Sequence, residues 1–329
     1  MPLINRCGGG GGTPQLCGQV ENFKAGLGNL SAILSWTAPS LDEDNSFVGA
    51  RIVRKTGSAP TGINDGTVVY EGTALTYTDT GLTAGTTYYY RAFAYNAKKK
   101  YQTEYRVASL TAIAIYSNFA DNDWDAIIDA CHSGNVLDTW VAGDSKTMTI
   151  DGKSYRVDIV GKNHDTYTAG GIAPLTFGLH DCYGTKSKMN GAGTNSTGWN
   201  DSKMRTETLP AILAKMPENI QNGIRAVNKR TATSGSDSTI KTASDKLFTF
   251  SEMEVYGSAT KSYSGEGKQY DYYKAGNSKI KKVGSTASRW WLRSPYADDS
   301  YSFCVVDTDG SIDYYNASNS YGVCFGFCF

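Results

Sequence analysis

Residues 77–96 read YTDTGLTAGTTYYYRAFAYN, and their reading decides the fold of the first third of the chain. TYYYRAFAYN is an aromatic and apolar run suited to a strand, and the glycines of GLTAG mark the turn before it. Working outward, AILSW (32–36), VGARIVRK (48–55), TVVYEG (67–72) and LTYTDT (75–80) also alternate or run apolar, with Gly, Asn, Asp and Pro between them. Short strands at this spacing predict an all-β sandwich over residues 18–112. Ahead of it, residues 1–17 carry five consecutive glycines. Such a run loses too much backbone entropy to order alone and predicts a flexible leader, ordered only against a partner.

The totals narrow the function. Lysine plus arginine and aspartate plus glutamate stand at 32 each, so no net field directs the chain to nucleic acid or an anionic membrane. No apolar run is long enough to span a bilayer, and the start lacks the apolar core of a secretory signal. The 36 Gly and 22 Tyr against 3 His suit strands, turns and an aromatic contact surface rather than a helical enzyme. Seven cysteines without CxxC pairs argue against a zinc module and a fully paired disulfide framework. Cys324 and Cys328 stand roughly 13 Å apart in an extended strand and cannot bond each other. Cys7 and Cys17 flank the glycine run and could form a bridge or a reactive pair.

Residues 113–329 change character and read as α+β. DNDWDAIIDACHSG (121–134) places Trp124, Ile127, Ile128 and Cys131 at helical spacing and stops on Gly134. SKTMTIDGKSYRVDIVGKN (145–163) is a hairpin with an Asp-Gly turn. DSKMRTETLPAILAKMPENIQNGIRAVNK (201–229) predicts two short helices broken near Pro217. LFTFSEMEVYG (247–257) reads as a strand and turn, ASRWWLRSPYA (287–297) as a strand with a Pro stop, and residues 300–329 as two or three final strands.

Few side chains suggest chemistry. His180 and Cys182 share a strand face in LHDC (179–182), but nucleophilic catalysis needs a third group to orient the His; a core Cys beside a hydrogen-bonded His is the plainer reading. His132 and His164 lack metal-site spacing, so no metal or cofactor is expected. DNDWD (121–125) reads as a helix start and DTDG (307–310) as a hairpin turn, neither continuing into a calcium loop. KKK (98–100) reads as a solvated loop between the last two sandwich strands, and SGEGKQY (264–270) lacks the Lys-Ser/Thr of a phosphate loop.

Two resemblances follow from these residues. LSWTAP (34–39) and the quoted stretch, with Leu82, Gly85 and Tyr88 as L-x-x-G-x-x-Y, resemble the fibronectin type III module, an Ig-like sandwich. There Trp36 would be a core tryptophan, and the Tyr88 hydroxyl would bond back to upstream backbone. TASRWWLRSPYADDSYSFCVVDTDGSIDYYNASNSYGV (286–323) resembles the C-terminal domain of variable proteins diversified by retroelements of phages and prophages. KTMTIDGKSYRVDIVGKNHD (146–165), APLTFGLHDCY (173–183), LPAILAKMP (209–217) and LFTFSEMEVYG extend the likeness. That resemblance implies a C-type lectin-like fold without calcium, whose surface codons are rewritten when template adenines are miscopied. Residues 296–329 contain no Lys, Glu, Gln, Met or Trp, the amino acids whose codons never end in a pyrimidine; Asn codons reach Asp, Tyr, Ser, Ile and Thr by one change at an adenine.

Under this resemblance Trp290, Trp291, Arg293 and Pro295 are fixed scaffold. Val323, Phe325, Phe327 and Phe329 alternate on the core face of the last strand, and Gly322 and Gly326 permit close backbone approach. The displayed, ligand-binding set is Asp298, Asp299, Tyr301, Ser302, Asp307, Asp313, Tyr314, Tyr315, Asn316, Asn319 and Tyr321. Tyrosine gives stiff contact area at low entropic cost, and Ser, Asn and Asp give adaptable hydrogen bonds. The implied protein is a phage-tail adhesin, not an enzyme, assembled in the host cytoplasm and acting outside on the virion. It would bind a bacterial surface protein or glycan, hold a tail protein through its N-terminus, and gain avidity from several copies, with a homo-oligomer allowed. The alternatives are a Cys–His hydrolase of surface polymer, using His180 and Cys182, and a structural decoration protein that buries Tyr314 and Tyr315 between subunits.

Overall fold

The computed structural model describes residues 17–40 and 46–329; Cys7, most of the expected leader and its glycine run lie outside the described residues. The chain divides into two compact units, residues 1–115 and 116–329. The division falls three residues beyond the expected one, because the link belongs to the sandwich. Ala112 and Ile115 are buried, and the Leu30 N–H donates to the Ile113 carbonyl at 2.9 Å.

Unit 1 contains β1 (Glu21–Gly28), β2 (Ser31–Thr37), β3 (Phe47–Thr56), β4 (Thr67–Gly72), β5 (Thr76–Thr80), β6 (Thr87–Asn96) and β7 (Arg106–Thr111). They form two antiparallel sheets, ordered β1-β2-β5 and β4-β3-β6-β7. Period-2 alternation turns Ala32, Leu34 and Trp36 of β2 inward, where they meet Ile52 of β3 and Tyr88, Tyr90 and Ala92 of β6. Trp36 is packed by Phe23 and Tyr70, with ring centroids 6.1 and 5.5 Å away. The Tyr88 hydroxyl accepts the Thr83 N–H at 3.1 Å, and Gly85 between them takes φ +76°, a conformation open mainly to glycine. Cys17, placed in the leader by sequence, is fully buried in this core. Lys98–Lys100 fall in the connection between β6 and β7.

Unit 2 contains β8 (Ser145–Ile150), β9 (Lys153–Lys162), β10 (Leu175–Leu179), β11 (Tyr183–Lys188), β12 (Val227–Ser234), β13 (Asp237–Asp245), β14 (Phe248–Thr249), β15 (Lys281–Val283), β16 (Thr286–Ser288), β17 (Trp290–Pro295), β18 (Ser302–Val306), β19 (Ile312–Asn316), β20 (Ser320–Val323) and β21 (Phe325–Cys328). Two five-stranded sheets, β14-β21-β10-β9-β8 and β11-β20-β17-β18-β19, are accompanied by hairpins β12-β13 and β15-β16. Helix α1 (Trp124–Ser133) ends on Gly134 at φ 75°, and the Asp151-Gly152 turn joins β8 to β9. Further short helices are α2 (Leu209–Leu213), α3 (Glu218–Gly223), α4 (Glu252–Tyr256) and α5 (Asp271–Lys274).

Three expectations change. LFTFSEMEVYG yields only the two-residue β14 and then α4, because Ser251 and Glu254 form a reciprocal capping box. The tail gives four strands, not two or three. The ladder from Val323 to Phe329 is not one strand with one core face. It breaks at Cys324, so Val323 belongs to the second sheet and Phe325 and Phe327 to the first. Residues 322–329 are all buried, Cys324 and Cys328 included, and β21 lies inside its sheet between β14 and β10. A Cβ on Gly322 would stand 2.5 Å from Cys182 Sγ, and one on Gly326 would stand 2.9 Å from the Phe177 carbonyl oxygen.

Candidate binding surface

The segment joining β17 to β18 is shaped through its backbone. Asn195, fully buried, donates from Nδ2 to the carbonyls of Asp299 and Ser302 at 3.0 and 2.8 Å, with a longer 3.4 Å contact to Tyr296. Its own N–H donates to the Ser300 carbonyl at 2.9 Å. Ala297 N–H donates to the Lys261 carbonyl at 2.9 Å, and Tyr263 Oη to the Ala297 carbonyl at 3.1 Å. Lys261 is fixed in turn by Glu252, whose buried carboxylate accepts the N–H groups of Thr260, Lys261 and Ser262 at 2.7 to 3.1 Å. An Ala317 N–H to Tyr301 carbonyl bond of 2.9 Å closes the segment onto the turn after β19.

The predicted residues divide among several roles. Tyr301, 59% exposed, and Asp298 project outward, whereas Asp307, Asp313, Tyr314, Tyr315, Asn319 and Tyr321, also expected to be displayed, are half-buried. Asp299 and Ser302 build the turn: Asp299 accepts the Tyr301 and Ser302 N–H groups at 2.8 and 2.7 Å and the Ser302 hydroxyl at 2.7 Å. Ser302 is buried and is not displayed, because it opens β18 beneath that turn. Asn316 likewise accepts the Ser318 N–H and hydroxyl at 3.0 and 2.7 Å. Asn319 donates to the Tyr321 hydroxyl at 3.2 Å.

The set is also split by the pleat. β19 is an edge strand paired only with β18, so Tyr314 and Asn316 face one way and Asp313 and Tyr315 the other. On the first face Tyr314 stacks on Tyr296, centroids 3.6 Å apart and planes 3° from parallel, with Lys261 Nζ 5.3 Å from the Tyr314 ring. On the second, Tyr315 meets Tyr321 at 5.3 Å, Tyr321 meets Trp291 at 5.1 Å, and the Arg289 guanidinium lies 4.6 Å from the Tyr315 ring. Arg289 Nε also binds Asp307 at 3.1 Å. Burial opposes ionisation of Asp307, but the Thr308 N–H and Arg289 hold its carboxyl below the usual range. Tyr296, Lys261, Arg289 and Asn195 were not identified from sequence; Tyr296 alone carried a signal, as a tyrosine beside the scaffold Pro295.

Beneath the scaffold lies a buried ionic network. Arg293 donates to both Glu254 oxygens at 2.5 and 2.8 Å and to the Thr249 and Glu266 carbonyls at 2.8 and 2.9 Å. Lys229 Nζ binds Glu254 and Asp165 at 2.6 and 2.7 Å and donates to Tyr270 at 2.9 Å. Burial opposes charge on Glu254, yet Arg293 and Lys229 keep its carboxyl below the ordinary value. Glu266 accepts the Ala232 N–H at 2.8 Å and the Ser294 hydroxyl, and burial pushes its pKa up to about 7. Only Arg293 of this group was expected as scaffold; the S-x-x-E of Ser251–Glu254 was the readable sign of Glu254.

His180 does have an orienting acid, since its Nδ1 lies 2.6 Å from Asp158. No hydrogen bond joins His180 to Cys182. The Cys182 thiol is buried, lies against Gly322, and burial pushes its pKa far up, the reverse of an activated nucleophile. Among the described residues no group of three or more His, Cys, Asp or Glu side chains is placed to hold a metal ion.

Residues 175–328 match the family described as a domain of unknown function, DUF6273. No curated protein matches the chain. Among solved structures, FN3tt is similar at 18% identity, covering 30% of this chain and 97% of its own, with a TM-score of 0.24. A redesigned β-sandwich protein shows 22% identity, 30% and 96% coverage and a TM-score of 0.24. A human fibronectin type III domain from KIAA0970 shows 17% identity, 33% and 89% coverage and a TM-score of 0.25.

Proposed function

We propose that this chain is a binding protein in which a fibronectin-type spacer carries a C-type-lectin-like recognition domain, diversified by retroelement mutagenesis. Its role is that of a phage-tail adhesin on the virion, recognising a bacterial surface protein or glycan without catalysis. The observation that carries the recognition surface is the manner in which residues 296–302 are held. Asn195, Lys261 and Tyr263 grip carbonyl and N–H groups, which are the same whatever side chain is present. A surface anchored that way keeps its shape while Asp298, Tyr301, Tyr314, Tyr315, Asn319 and Tyr321 change. Asp299, Ser302 and Asn316, which support turns through their side chains, are its less variable members. Tyrosine supplies rigid contact area, and adjoining Asp and Asn supply hydrogen bonds.

The test is deep sequencing of the 3′ end of the gene from a propagating population. Substitutions concentrated at these six positions, two exposed and four half-buried, with Asn195, Trp290, Trp291 and Arg293 constant, are the expected result. A uniform low rate across residues 296–329 would remove the diversification mechanism.

A further inference from the structure

A separate cavity of about 350 Å³ is formed where the start of β9, the segment leading into β11 and the β15–β16 hairpin meet. Lys153, Arg156 and Lys282 line it against one carboxylate, Asp181. The ammonium groups of Lys153 and Lys282 form no hydrogen bond or ion pair among the described residues. Arg156 uses only Nε, on Asp158 at 2.9 Å, leaving its terminal nitrogens available. Asp181 is partly engaged, accepting the Lys282 N–H at 2.8 Å. Gly184 keeps the cavity open, because a Cβ there would lie 3.1 Å from the Tyr155 hydroxyl and 3.9 Å from Lys153 Nζ. Tyr155, stacked on Tyr183 with centroids 5.4 Å apart, adds a rigid aromatic wall.

We infer that this cavity is a second binding site, for an oxyanion of the phosphate or sulfate class carried on a sugar- or polyol-sized body. Three cations from two strands, β9 and β15, against one carboxylate select negative charge, and a guanidinium with free terminal nitrogens matches tetrahedral oxyanions. The volume lies at the small end of ligand pockets, room for one charged unit rather than a folded partner. The site is independent of the tyrosine surface.

Titration calorimetry of the full chain at low salt would use inorganic phosphate, inorganic sulfate, glycerol 3-phosphate, glucose 6-phosphate and neutral glucose. Saturable binding of the phosphate esters is expected, weakened at least tenfold by Lys153→Gln with Lys282→Gln. The control pair Lys24→Gln with Lys241→Gln, exposed lysines on β1 and β13, leaves it unchanged. Esters binding more tightly than the inorganic ions identify a carried group; equal affinity identifies the bare oxyanion as the ligand. No saturable binding of any anion, equal loss in both double variants, or glucose matching its phosphate would overturn the site.

Discussion

The two units solve the same problem, closing a β-sheet core, with different interiors. Unit 1 has connections of two to ten residues between its strands and is filled by Leu34, Trp36, Ile52 and Tyr90. Its buried acid, Asp79, serves local needs: Arg54 reaches it at 2.9 and 3.0 Å and the Tyr90 hydroxyl at 2.8 Å. Unit 2 buries Asp165, Lys229, Glu254, Glu266 and Arg293 together. The difference follows from connection length. Long irregular segments bring backbone groups inside without a strand partner, and side chains must supply the missing donors and acceptors. Arg293 and Glu252 do that work for segments 249–270.

The largest test of this contrast is Arg293→Met, which leaves Glu254 to share Lys229 with Asp165, two buried carboxylates on one ammonium. Unit 2 should lose about 3–5 kcal/mol, read by urea unfolding through the fluorescence of Trp124, Trp140, Trp199, Trp290 and Trp291. A loss below about 1 kcal/mol would show that the network is not what ties these segments down. Glu266 gives the next effect, through pH. The folded protein keeps its proton to about pH 7, whereas an unfolded chain releases it near 4.5. Stability from this group is therefore full at acid pH and falls as pH rises between those values, by about 3 kcal/mol. Glu266→Gln, which mimics the protonated acid, should come closest to the parent below the unfolded value of 4.5 and exceed it most at pH 8; an equal difference in denaturation midpoint at both ends of that range would contradict the assignment.

In unit 1 the expected effects are smaller. Tyr88→Phe removes the acceptor for the Thr83 N–H and should cost about 1 kcal/mol, with no dependence between pH 5 and 8. A pH-dependent loss would blur the distinction between the units. Smallest of all, alanine at Asp298, Tyr301 or Asn319 should shift stability by no more than about 0.5 kcal/mol. A larger shift at Tyr301 in thermal unfolding would mean that the displayed surface also holds the fold.

What was legible in the sequence was whatever repeats locally. Alternating and apolar runs located β2 to β6 of the sandwich but not β1 or β7, L-x-x-G-x-x-Y located Tyr88, and Asp-Gly and Gly134 located a turn and a helix end. The site was legible as composition but not as geometry. No local pattern says that β19 lies at an edge and divides Tyr314 from Tyr315, or that Ser302 sits under a turn made by Asp299. The buried network was hidden for the same reason. Asp165 and Lys229 are far apart in sequence, and each alone resembles an ordinary surface charge; Arg293 was expected as scaffold, but not with these partners.

The position of β21 bears on how the chain is made. This strand is synthesised after its sheet neighbours β10 and β14 yet lies between them, so that sheet has a vacancy until residues 325–328 have been translated. Unit 1 is complete some two hundred residues earlier and can fold while the rest is still emerging. A stop codon or frame slip anywhere in residues 298–321 therefore deletes the middle of a sheet rather than a dispensable end. Such a product cannot close its core and is exposed to proteolysis, so translation in frame through the tyrosine-rich segment is checked by folding itself.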